Sequence, residues 1–79
     1  MNIQLLQGHF SKKDAIDLIT KLITVKIRFH EDKMPSSHSE EDIKMREKRI
    51  KQLQKELYDA RIKIESMTDN VNLESEITF

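Results

Sequence analysis

Three histidines, His9, His30 and His38, are the only nitrogen ligands of a chain that has no cysteine. A zinc site needs three or four such ligands converging on one point. His30-Glu31-Asp32 and His38-Ser39-Glu40-Glu41 flank one stretch of chain, but their spacing fits no zinc motif, so they read as surface or capping residues and no metal is expected. Ser36, Ser37 and Ser39 stand near His38. A Ser–His–acid triad also requires an oriented base and an oxyanion hole, and a polar loop supplies neither. The densest constellation is basic: Lys44, Arg46, Lys48, Arg49, Lys51 and Lys55 fall within twelve residues, with Glu47 the only acid among them. Lys44, Lys48, Lys51 and Lys55 recur at i, i+4, i+7 and i+11 and form one stripe along a helix. With Arg49 they are the candidate phosphate contacts.

The surroundings weaken that reading. The chain carries 14 basic and 14 acidic residues and has zero net charge. Glu40, Glu41 and Asp42 precede the basic segment, Glu56 and Asp59 follow it, and no aromatic side chain interleaves it for base stacking. A solvated helix flank is the simpler account, ahead of nucleic-acid contact or an acidic protein partner. The charges are nonetheless sorted. Residues 44–55 carry a net +5 and residues 56–79 a net −4. That order opposes the helix dipole beyond the first turn and suits antiparallel pairing, in which a basic half lies beside an acidic half.

Other classes are excluded more firmly. A single glycine, Gly8, cannot build a phosphate-cradling loop or a dinucleotide fingerprint. The lack of cysteine removes a disulfide framework and a thiol nucleophile. No apolar run approaches the roughly 20 residues of a membrane span, and residues 1–10 do not read as a signal peptide. No cofactor and no catalysis are expected, and a cytoplasmic location is favoured. Seventy-nine residues with four aromatics, Phe10, Phe29, Tyr58 and Phe79, barely close a core, and oligomerisation is the usual remedy for a small domain without staples.

The elements that would carry these residues are readable from period and caps. Ile3 and Leu5 alternate with Gln4, so residues 2–7 suggest a short strand, with Gly8 as a turn. Ser11 is a good N-cap, with Asp14 three residues on and Phe10 placed to staple onto Ala15. A buried helix then runs from about 12 to 31. Ala15, Leu18, Leu22, Val25 and Phe29 form one apolar stripe, and Ile16, Ile19, Ile23 and Ile27 form a second. Its core is expected at Ala15, Leu18, Ile19, Leu22, Ile23 and Phe29. Two stripes exceed what one neighbouring helix covers. A loop around Pro35 follows, and a second helix starts at either Ser37 or Ser39. With Ile43 at heptad position a, positions a and d hold Ile43, Ile50, Leu57, Ile64 and Val71, and Arg46, Leu53, Ala60, Met67 and Glu74. That is a coiled-coil-like seam over about 39–70, in which Arg46 is the flaw. Ile43, Ile50, Leu53, Leu57, Ala60, Ile64 and Met67 are the expected helix–helix surface. It is open to another copy in either orientation or to the first helix as an αα-hairpin. Residues 72–79 alternate again and read as either a frayed tail or a terminal strand able to pair with residues 2–6. The simpler partner expected for strand 2–6 is the same segment of a second copy, paired antiparallel about a two-fold axis.

The stretch Leu6-Gln7-Gly8-His9-Phe10-Ser11-Lys12-Lys13-Asp14-Ala15 resembles the start of a group of small bacterial strand–helix–helix proteins of uncharacterised activity. In that group a helix ends near a segment like Lys26-Ile27-Arg28-Phe29-His30, and a second, charged helix follows. The strand–helix–helix order is also similar to that of ribbon–helix–helix proteins, dimers whose paired strands read the DNA major groove. Here the interhelix loop is longer, and no Lys or Arg precedes Lys12 to contact phosphates. The expectation is a mainly α domain over residues 1–71 with a tail at 72–79, homodimeric and soluble. It would serve as a structural or protein-interaction module, with a small dimeric nucleic-acid-binding regulator as the alternative.

Overall fold

The computed structural model describes all 79 residues, in the order β1 (Asn2–Phe10), α1 (Lys12–Lys33), α2 (Glu40–Glu65) and β2 (Val71–Thr78). The helices form a hairpin, and the strands pair antiparallel as a two-stranded ribbon at its open end. The backbone is thin, with extents of 47 × 32 × 14 Å.

Local chemistry sets the helix starts. Ser11 is extended at φ −61°, ψ 158°, and its hydroxyl accepts the Asp14 N–H at 3.1 Å. Of the two candidate caps for α2, Ser39 is the one used: its hydroxyl accepts the Asp42 N–H at 3.3 Å. The Ser37 hydroxyl instead accepts the Ser39 N–H. Each cap satisfies one amide that the first turn leaves unpaired.

Several expectations need correction. Helix α2 ends at Glu65, not near residue 70. Ser66 closes it, donating its hydroxyl to the Lys63 carbonyl at 2.7 Å. Thr68, Asp69 and Asn70 favour a turn over another helical turn. Met67 and Val71, assigned to the seam by heptad count, therefore lie outside the helix. Of the two readings of residues 72–79, frayed tail or terminal strand, the strand is the one that forms, as β2. Strand β1 runs through Gly8 to Phe10, where a turn was expected. Gly8 stays in the ladder opposite Leu73 with φ +137°, a value other residues resist. The partner of β1 is β2 of its own chain.

The ribbon has an apolar side. In β2 the residues Val71, Leu73, Ser75 and Ile77 share a face. Phe10, Gly8 and Leu6 stand opposite the first three. The register then shifts between Gln4 and Leu6, leaving Leu5 as an extra residue, so that Ile3 rather than Gln4 faces the apolar side opposite Ile77. One inserted residue thus restores an alternation that would otherwise point Ile3 outward. The Gln4 amide spans this bulge, donating to the Leu6 carbonyl at 2.8 Å and to the Ser75 carbonyl at 3.3 Å.

Only Ala15, Leu53, Ile64 and Val71 are buried. Ala15, Ile64 and Val71 form one cluster where all four elements meet, with Phe10, Ile16, Ile19, Met67 and Leu73 packed around it. The Lys12 ammonium ties the same corner, donating to the carbonyls of Glu65 and Met67, both at 3.1 Å, at the C-terminal end of α2. The expected burial of α1 does not occur. Ile16, Ile19, Ile23 and Ile27 are half-buried along the hairpin interior, but Leu22 and Phe29, assigned to the core, are exposed. The hairpin supplies one neighbouring helix, and one helix covers one stripe.

Ile64→Ala removes a side chain that is 5% exposed at the junction. We expect a loss of about 2–4 kcal/mol in urea unfolding, against under about 1 kcal/mol for Ile62→Ala, whose side chain is half in water. Equal losses would place the cooperative core elsewhere.

Candidate functional site

The seam residues divide by position along α2. Leu53 and Ile64 are buried, and Ile43, Ile50, Leu57, Ala60 and Met67 are half-buried. The hairpin places α1 against α2, the intramolecular of the two arrangements open to the seam. Arg46 at position d, the flaw in the heptad, has a partner across the hairpin. Its Nε donates to Asp42 Oδ2 at 3.1 Å and its Nη1 contacts His30 Nδ1 at 3.2 Å. A guanidinium has no acceptor, so His30 Nδ1 accepts this bond and the proton of the neutral ring sits on Nε2. An arginine at a seam position is thereby satisfied on both sides, its side chain 23% exposed.

Asp42 joins this unit to the helix cap. The Ser37 hydroxyl and then the Arg46 guanidinium hold its carboxyl below the ordinary aspartate range. Its place in the first turn of α2, beside Glu40 and Glu41, adds the favourable end of the helix dipole.

The basic residues separate into two sets. Lys48 and Arg49 line a groove between the helices of about 630 Å³, together with Lys26 and His30 of α1 and Arg46 of α2. Lys44 and Lys51, two of the expected phosphate contacts, do not line it. Lys55 lies beyond it and pairs with Asp59 at 3.4 Å. The groove was not legible as a site because Lys26 and His30 belong to another helix, and the heptad phase that would place them opposite Arg49 was open. The three histidines stand apart, on β1, in α1 and in the interhelix loop, and no group of three or more ligating side chains converges. No helix is long and apolar enough to cross a membrane.

A second surface is apolar. The stripe Ala15, Leu18, Leu22, Val25 and Phe29 starts at the four-element junction, where Ala15 is fully buried. It opens along α1: Leu18 is half-buried, and Leu22, Val25 and Phe29 are 37%, 67% and 55% exposed. The far end of the ribbon is equally open, with Ile3, Leu5 and Ile77 all exposed.

The sign of the Asp42 effect is set by its lowered value. A depressed carboxylate stabilises the fold above its unfolded value, and that contribution is lost as pH falls through the folded one. Asp42→Asn should lower the melting temperature at neutral pH, and the gap to wild type should narrow as the pH falls below the ordinary aspartate range. A gap independent of pH would mean that the charge of Asp42 contributes nothing.

Comparison with family models, with curated proteins and with solved structures finds no match to this chain.

Proposed function

We propose that the chain is a non-catalytic protein-interaction module that works as a homodimer, joined through the bare part of the α1 stripe and the apolar side of the ribbon. The observation that carries this reading is surface area. A compact protein of 9.4 kDa exposes about 5,000 Å², whereas this chain exposes 6345 Å². The excess, about 1,300 Å², exceeds the roughly 800 Å² that each partner buries in a standard interface. A radius of gyration of 15.1 Å, against about 12 Å for a compact chain of this length, says the same of shape.

The chemistry of the excess supports a protein surface. Leu22, Val25 and Phe29 on α1 and Ile3, Leu5 and Ile77 on the ribbon are large apolar side chains in water. A two-stranded ribbon is marginally stable by itself, and both of its outer edges are free to pair or to be covered. A second copy is the occupant the charges favour. The ribbon carries Glu74 and Glu76 and no Lys or Arg, while residues 44–55 of α2 are strongly basic. A two-fold axis can set the acidic end of each copy beside the basic part of the other.

Light scattering on a sizing column should give twice the chain mass at tens of micromolar. Val25→Asp with Phe29→Asp should halve that mass while helical circular dichroism is retained. A monomeric wild type overturns the reading, as does a double variant whose mass is unchanged.

A further inference from the structure

We infer that the groove between α1 and α2 is a binding site for a compact polyanion carrying two or three adjacent phosphate groups. Lys26 and His30, one turn apart on α1, face Arg46, Lys48, Arg49 and Gln52 of α2 across it. Every one of these side chains has a hydrogen-bond donor to present. Lys26 and Lys48 make no ion pair, and Arg49 is held only loosely, 3.3 Å from Gln52 Oε1 and 3.8 Å from Glu56 Oε1. With Nδ1 taken by Arg46, His30 offers its Nε2–H. The one carboxylate in the lining, Asp42, is already engaged by Arg46.

Pre-organisation strengthens the site. Arg46 is anchored at Nε and Nη1 by groups of both helices, so its remaining N–H groups are fixed before any ligand arrives. Less side-chain freedom is then lost on binding. An arginine fork matches phosphate oxygens in pairs, and lysines add point charge. Four cations against one carboxylate suit a multiply charged ligand better than a single carboxylate. The shape decides between compact and extended polyanions. A nucleic-acid backbone would track the outer stripe of Lys44, Lys48, Lys51 and Lys55, of which only Lys48 reaches the groove and Lys55 is paired with Asp59. The groove cations instead converge from two helices on one concave space.

The test is calorimetric titration of the intact chain with inorganic tripolyphosphate, with the oligomeric mass recorded with and without it. Saturable binding is expected. Lys26→Gln with Lys48→Gln should weaken it at least about tenfold, and Arg49→Gln alone at least about threefold, while Lys44→Gln with Lys51→Gln should stay within about twofold. Circular dichroism checks that each variant is folded. No saturable binding overturns the site, and so does equal weakening by the groove and outer-stripe pairs. A short single-stranded oligonucleotide that binds more tightly than tripolyphosphate also overturns it, in favour of an extended backbone. A mass that falls in step with tripolyphosphate binding overturns it by assigning the groove to the acidic ribbon of a second copy, and this outcome leaves the homodimer reading intact.

Discussion

The contact of Ala15 with Ile64 and Val71 is the constraint from which the rest of the molecule follows. It is the one point where both helices and both strands meet. Ala15 must be small there, because α1 enters directly beneath the ribbon with no surface left exposed. Lys12, three residues earlier, closes the same corner from the polar side by capping the end of α2. Away from this corner the hairpin and the ribbon diverge, and each keeps only the packing of its own two elements. The thin shape and the scarcity of buried residues are consequences of that divergence.

Much of this was legible in the residues. Ser11 announced the start of α1, because a hydroxyl before a run of helix formers with an acid three residues on has a local use that tertiary context rarely overrides. For α2 the same signal stood equally at Ser37 and Ser39, and only the structure separates them. The two apolar stripes of α1 were legible as stripes, and within the chain only one of them is covered. The hairpin takes the isoleucine stripe and leaves most of the leucine–valine–phenylalanine stripe bare. What escaped was long-range or geometric. The heptad count runs on past Glu65 because Met67 and Val71 are apolar for a different reason: they fill the junction from outside the helix. Gly8 looked like a turn because glycine usually marks one, but a strand also tolerates it where the backbone twists to positive φ. The bulge at Leu5 had no signature beyond a broken alternation, and it depends on a partner strand some seventy residues away.

Arg46 illustrates how an apparent defect acquires a role. In a helix pair between copies, an arginine at an inward position would be costly unless paired. Within one chain it spans the hairpin, linking the α2 cap at Asp42 to the α1 ring of His30. The unit also helps to fix the register of the two helices near the loop, where no buried apolar residue does so. Zero net charge therefore conceals a strong internal order: an acidic interhelix end, a basic segment over residues 44–55 of α2 and an acidic ribbon.

The ribbon joins residues at opposite ends of the sequence. The ladder begins at Phe10 and Val71 and runs out to Met1 and Phe79, whose backbones pair in both directions. Closing a flexible loop of about sixty residues costs roughly 3–4 kcal/mol of chain entropy, which two short strands alone repay poorly. The hairpin shortens that journey, since its contacts are local and its helices bring Ser11 and Ser66 to the same corner. The order of assembly is then dictated by topology: helices first, corner second, sheet last. Such a molecule zips from the inside of the sequence outward, so the ribbon tip is the last part to form and the first to open.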